Sequence, residues 1–215
     1  MTYTVCEARA SEDIRLFLYD DKGEPFGHFN SVDQALAPAG QQLGFAMNAG
    51  MYHENRAPVG LYSEGGQQEM RLVTSAGPGN FGLLPNGVFC IGDQQVRVIE
   101  TLRFQREAPD CLYASQSGPM LVIDGALHPR FLPESTSRYV RNGVGTSADG
   151  QRIHFAISRA PVSFHQFGSL FRDHLGSANA LYFDGNISRL HAPQLDRSDV
   201  GFRMGPIVGI VEPAS

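Results

Sequence analysis

The sequence predicts an α+β fold: one domain over residues 1–215, a largely antiparallel, twisted β-sheet with one or two covering helices. Three observations carry that expectation. Short apolar runs alternate with tight-turn dipeptides, the flanking residues are β-branched or aromatic, and a single long segment has helical periodicity. Length agrees, because 215 residues suit one large domain or two small ones at about 100–200 residues each. Glycine and proline are scattered, so no linker divides the chain. Hydrophobic residues at 42% against 18% charged supply a core and exclude a disordered chain.

Taken in order, the first element is a short helix over Val32–Ala37, capped by Ser31 and ended by Pro38. An apolar strand then reaches Asn48 and Gly50, where the backbone turns beside a polar side chain. Four turn pairs follow: Gly92-Asp93, Asp124-Gly125, Asp149-Gly150 and Asp184-Gly185. Each tolerates the positive φ angles of hairpin turns. Ser163–Leu175 is the long helix, with Phe164, Phe167, Phe171 and Leu175 making one apolar stripe and Gly176 a C-terminal stop. Its His165 and His174 are nine residues apart, which in an α-helix places them on opposite faces and excludes a chelating pair. The run from Gly205 to Glu212 is a last buried strand.

Composition narrows the function. No apolar run approaches the roughly 18 residues of a membrane helix, and the first residues lack a secretory signature. The expectation is a cytoplasmic protein as written, or a periplasmic or secreted one if the chain is a trimmed form. A net charge of −5 argues against broad nucleic-acid binding. Cys6, Cys90 and Cys111 are odd in number, form no CxxC, and are expected to be reduced, buried thiols. P-loop, Rossmann, HExxH and GxSxG signatures are absent. The basic residues are arginine except Lys22, which sits in a polar turn and makes Schiff-base chemistry an unsuitable assignment.

What remains is a set of glycine- and asparagine-rich segments. They are Asn48-Ala49-Gly50-Met51-Tyr52; Gly77 to Phe81 with Pro85-Asn86-Gly87; Ser115 to Leu121; Arg141-Asn142-Gly143-Val144-Gly145; and Ala180 to Ser188. Gln116 and Ser117 supply hydrogen-bonding groups to a ligand. Arg141 either pairs with a structural carboxylate or holds an anion. Asp184, at the end of a buried apolar strand, either needs a partner or occupies a hairpin turn that needs none.

Together these segments resemble the phosphodiester glycosidase family. The ordered pieces are NAGMY, PNG, SGPMLVIDG, RNGVG and HLGSANALYFDG, spanning about Phe45 to Ser188. Asn48-Ala49-Gly50 replaces the family's NGG, Asn142 stands where threonine is more familiar, and Asn186-Ile187-Ser188 replaces a glycine-rich stretch. The resemblance implies hydrolysis of a sugar-1-phosphodiester between the anomeric carbon and the phosphate oxygen. It places Arg141 on the departing phosphate and Asp184 as the group that orients water or stabilises the oxocarbenium charge. Asn48, Asn86, Gln116, Ser117, Asn142 and Asn186 would bind the substrate, with Gly50, Gly118 and Gly185 allowing close backbone approach. Asp124, Glu54 and Glu64 are alternative acids. No cofactor is expected; a structural divalent cation held by loop carbonyls would leave no trace in sequence, and no metal ligand is assigned. Two further readings stand beside this one: a non-catalytic phosphosugar-binding module, and a metal-dependent phosphodiesterase attacking phosphorus.

Overall fold

The computed structural model describes residues 1–184 and 187–214. Its strands pair antiparallel throughout, as the turn dipeptides require, and they are distributed over three sheets. The first has the order β1 (Tyr3–Arg9), β12 (Arg152–Ser158), β11 (Asn142–Thr146), β13 (Asn179–Asp184), β9 (Met120–Ile123) and β10 (Ala126–Leu127). The second runs β15 (Arg197–Ser198), β14 (Leu190–Ala192), β3 (Gln41–Asn48), β16 (Ile207–Pro213) and β2 (Ile14–Phe17). The third runs β5 (Gln67–Met70), β4 (Tyr62–Glu64), β8 (Tyr113–Ser117), β6 (Gly87–Ile91) and β7 (Val96–Glu100).

The main core lies where the three sheets meet. Phe45 of β3 packs on Phe155 of β12 at 5.3 Å between ring centroids, and Phe89 of β6 meets Phe155 and Phe183 edge-on at 5.9 Å each. A second cluster seats Phe29, Val32 and Leu36 of helix α1 (Phe29–Leu36) against Leu43 and Ala46 of β3 and Ile207 of β16. A third seats Phe167 of α3 (Phe164–Ser169), with Leu170 and Phe171 just beyond it, against Leu121, Ala156, Ala180 and Tyr182.

Three of the four turn pairs form hairpins. Asp124 (φ 46°) and Gly125 (φ 81°) join β9 to β10, Gly150 lies in the β11–β12 turn, and Gly92 begins the β6–β7 turn. The fourth pair includes Gly185, which lies outside the described residues. After Asp184 the chain leaves the first sheet and enters the second, where β14 pairs with β3 and β15. A turn dipeptide fixes a local φ requirement but not which sheet the next strand joins.

The helices bring further corrections. α1 begins at Phe29, not Val32, with His28 at its N-cap making no side-chain bond. Burial of Phe29 sets that start, and Ser31 lies inside the helix. α2 (Thr101–Glu107) was not foreseen: Glu100 caps it by accepting from the N–H groups of Leu102 and Arg103 at 3.0 and 2.8 Å. Ser163 caps α3 in a capping box with Gln166. Beyond Ser169 the helix widens into a π-helical turn over Leu170–His174. That change of period brings His165 and His174 to one surface cleft, not opposite faces.

The cysteine expectation is overturned for two of three. Cys90 and Cys111 form a disulfide, because antiparallel pairing of β6 with β8 brings their Cα atoms to 5.5 Å despite a sequence separation of 21. Cys6 is free and half-buried, its thiol pushed up to about 11 chiefly by burial and further by Glu12.

Candidate active site

Asp184 is the last residue of β13, and its carboxylate enters a cleft of about 560 Å³. Residues 180, 182 and 184 alternate onto the face that carries α3, while Leu181 and Phe183 enter the central core. Tyr52, Glu54, Arg56, Asn80, Phe202 and Arg203 share the cleft with Asp184. The segment that positions Tyr52 and Arg56 is held by a bridge between Tyr52 and Pro58. Arg56 itself has φ 73°, an unfavourable backbone for a residue with a Cβ. Its Nη1 donates to the Glu54 carbonyl at 2.8 Å, while its Nε is buried with no hydrogen-bond partner among the described residues.

Two tyrosines feel the Asp184 carboxylate. The hydroxyl of Tyr52 is pushed up first by burial and next by Asp184, with Arg56 and Arg189 opposing. Tyr182 is pushed up mainly by burial; Arg141 opposes, and Asp184 adds to the rise. Both therefore stay protonated donors at neutral pH.

Arg141 lies immediately before β11 and is fully buried. Its guanidinium sits flat on the Phe164 ring, 3.6 Å from the centroid, with Tyr182 at 5.2 Å and Tyr139 at 5.4 Å. Nε donates to the Val162 carbonyl at 2.9 Å and Nη2 to that of Ser137 at 3.3 Å. Nη1 and the Tyr182 hydroxyl are both buried and neither completes a well-formed hydrogen bond among the described residues, although the two groups interact with each other through charge and a looser side-chain hydrogen bond. Desolvation lowers the arginine's pKa, and the only groups that offset it are tyrosines. No carboxylate pairs with Arg141 among the described residues.

The remaining sequence candidates separate into three places. Asn48 and Asn142 form one knot: Asn142 Nδ2 donates to the Asn48 carbonyl at 2.7 Å, and Asn48 Nδ2 to that of Ile187 at 2.6 Å. Asn48 Oδ1 accepts from the Arg189 N–H at 2.9 Å, and Ser188 donates to Asn142 Oδ1 at 3.2 Å. The knot ties β3 and β11 to the chain following Asp184. Asn86 and Gln116 belong to a second node with Thr101. Gln116 Oε1 accepts from Leu61 and Val73, its Nε2 donates to Val73 and Thr101, and Thr101 donates to Asn86 at 2.7 Å. Ser117 donates to the Phe183 carbonyl at 2.6 Å. All five side chains are buried, satisfied within the protein, and absent from the cleft wall.

Gly50 and Gly118 are required by protein contacts. A Cβ at Gly50 would meet Ser115 Oγ at 2.7 Å, and one at Gly118 would meet Asn86 Cβ at 2.6 Å. Gly185 and Asn186 lie outside the described residues. Of the alternative acids, Glu54 lines the cleft. Asp124 is an exposed turn residue bonded to Arg103, and Glu64 is bonded to Tyr62 and the Leu18 N–H. No group of three or more metal-ligating side chains occurs among the described residues. Sequence reasoning missed Arg56, Phe202 and Arg203 as cleft residues; no short motif marks them.

Comparisons with known proteins meet this geometry. Residues 41–192 match the family model described as phosphodiester glycosidase. The protein YigE of Escherichia coli K12 is 34% identical over 181 residues, 84% of this chain and 70% of YigE. The fold is similar to the catalytic domain of zebrafish N-acetylglucosamine-1-phosphodiester alpha-N-acetylglucosaminidase, auto-inhibited by its pro-peptide. That match has a TM-score of 0.63 at 9% identity and covers 97% of this chain and 82% of the other. A Burkholderia pseudomallei K96243 protein matches with a TM-score of 0.58 at 10% identity, over 97% and 73%. At these identities the two structures speak to fold alone.

Proposed function

The chain belongs to the phosphodiester glycosidase family, and from that premise we propose that it hydrolyses a sugar-1-phosphodiester at the bond between the anomeric carbon and the phosphate oxygen. The observation that carries this reading is an acid at the cleft wall, Asp184, with Arg141 buried behind that wall without an acidic partner among the described residues, the two linked through Tyr182, which feels both charges. A buried guanidinium without a counter-ion is costly. A phosphate oxygen near Nη1 would accept from the guanidinium and from the Tyr182 hydroxyl, neither of which completes a well-formed hydrogen bond among the described residues.

The chemistry asks little more. A phosphomonoester is a fair leaving group, so charge neutralisation matters more than protonation, and a cation with a neutral O–H donor supplies it. Asp184 orients water toward the anomeric carbon and accepts its proton, or stabilises positive charge on the sugar as the bond breaks. The C–O electron pair leaves with the phosphate, and the water oxygen remains on the sugar. Asn48 and Asn142, assigned to substrate by resemblance, serve this scheme by fixing the chain around Asp184. Of the two settings open to the sequence, the disulfide favours the periplasmic or secreted one.

The test is turnover of a panel of sugar-1-phosphodiesters in oxygen-18 water, with and without EDTA. Label in the free sugar and none in the phosphomonoester supports the reading. Label in the phosphate means attack at phosphorus and sinks it, as does loss of turnover on chelation together with phosphate labelling. Binding without turnover would instead make this a phosphosugar-binding module.

A further inference from the structure

Phe202 has 83% of its surface exposed yet stands at the wall of the cleft that holds Asp184. An exposed large apolar side chain at the wall of a cleft that holds an acid calls for an explanation. We infer that Phe202 is the platform on which the sugar ring of the substrate lies, an inference that rests on the reading of the cleft given above.

The backbone holds this ring out, not the ring's own contacts. At one end, the Asp199 N–H donates to the Leu190 carbonyl at 2.9 Å and its Oδ2 accepts from the Leu190 N–H at 2.9 Å. In the middle, buried Arg189 donates from Nη1 to the Phe202 carbonyl. At the other, Met204 N–H donates to the Gly27 carbonyl at 2.8 Å, and Gly205 lies so flat on Tyr52 that a Cβ there would be 2.5 Å from the ring. A pinned loop with an exposed aromatic at its tip is preorganised for binding, because little freedom is left to lose when a ligand stacks on it.

The surroundings select the ligand class. Tyr52 adds a second ring, while Glu54, Asn80 and Arg203 add acceptors and donors on the same walls. Ring faces suit the C–H face of a pyranose, and the polar groups suit its hydroxyls. A purely apolar ligand would desolvate the Glu54 carboxylate without offering it a donor. Phe202 also lies beyond residues 41–192, the span matched to the family, so the platform adds sugar selectivity outside that span.

The chain contains no tryptophan, so Phe202→Trp installs a single fluorescent reporter at the proposed contact. It is titrated with glucose 1-phosphate, galactose 1-phosphate and N-acetylglucosamine 1-phosphate, with inorganic phosphate as control. Phe202→Ser is titrated with the same compounds by calorimetry. The expected result is a saturable emission change with at least one sugar phosphate and none with phosphate alone, and about a tenfold weaker Kd for Phe202→Ser. A silent reporter, or an unchanged Kd in Phe202→Ser, overturns the platform even if the protein hydrolyses a phosphodiester. A responsive reporter in a protein that turns nothing over upholds the platform and overturns the hydrolase reading instead.

Discussion

Two buried polar clusters lie on either side of β11, one residue apart in sequence, and they differ in how completely they are satisfied. Around Asn142, the hydrogen bonds of Asn48, Asn142 and Ser188 bind three chain segments together. Around Arg141, a guanidinium nitrogen and a tyrosine hydroxyl are buried and neither completes a well-formed hydrogen bond among the described residues. Leaving a buried donor unpaired costs about 1–3 kcal/mol, and under the proposed function a bound phosphate would offset that cost in the second cluster. The difference separates architecture from chemistry more sharply than residue type does, since asparagines beside glycines look like ligand-binding groups in the sequence.

The largest effect expected from this division is at Asp184. Asp184→Asn, nearly isosteric, should lower kcat/KM on a sugar-1-phosphodiester by about a thousandfold, within the usual range for a positioned acid or base. Its melting temperature should remain within a few degrees. Turnover at the parent rate by the folded variant would remove Asp184 from the mechanism.

Cys90→Ser with Cys111→Ser gives the opposite profile. Losing a bridge whose ends are 21 positions apart in sequence should cost about 3 kcal/mol in denaturant unfolding and leave kcat/KM unchanged at temperatures where the protein stays folded. A matching loss of activity would tie the third sheet to the chemistry, contrary to the division drawn here.

The comparison itself is tested by Asn142→Ala beside Tyr182→Phe. Asn142→Ala removes the donor to the Asn48 carbonyl and an acceptor of Asn48 Nδ2 and should destabilise by about 2 kcal/mol. Tyr182→Phe removes only an oxygen that completes no well-formed hydrogen bond among the described residues. It should leave stability within about 0.5 kcal/mol and lower kcat/KM about tenfold, the equivalent of one hydrogen bond in the transition state. If Tyr182→Phe destabilises as much as Asn142→Ala and retains activity, the clusters are alike and the division fails.

How much of this was legible in the sequence follows the same line. Antiparallel strands, the start of a helix at Ser163 to within one residue, and the hairpins at Gly92, Asp124 and Gly150 depend on residues within a few positions of one another, and pattern reasoning reached them. Asp184 was legible as an acid ending an apolar strand, and Arg141 as an arginine among glycines. The distribution over three sheets was not legible, because Asp184-Gly185 has the composition of a hairpin while the chain crosses to β14. The Cys90–Cys111 bridge depends on the register of β6 with β8, which no spacing encodes. Helix α2 escaped because a glutamate caps it, outside the preferred Ser, Thr, Asp and Asn set. Arg56, Phe202 and Arg203 converge on the cleft from distant loops and carry no motif.

The smallest effect is a pH dependence from the column behind Arg141. His128 stacks on Phe131 at 4.7 Å, Phe131 on Phe164 at 5.1 Å, and Phe164 lies under the Arg141 guanidinium. Burial holds the His128 imidazole neutral by lowering its pKa; the Leu84 carbonyl opposes this and Arg130 adds to it. The unfolded chain therefore binds a proton that the folded one refuses. This contribution to stability is fully present above the ordinary imidazole value of about 6.5 and is lost as pH falls through it. His128→Phe keeps a ring in the column and removes the titration, so its melting temperature should fall less than the parent's between pH 8 and pH 5. Phosphosugar affinity at pH 8 should be the same in both proteins if the column only supports Phe164. Should His128→Phe instead weaken that affinity at pH 8 while melting normally, the column also sets the position of Arg141, and the unsatisfied cluster extends from Tyr182 back to His128.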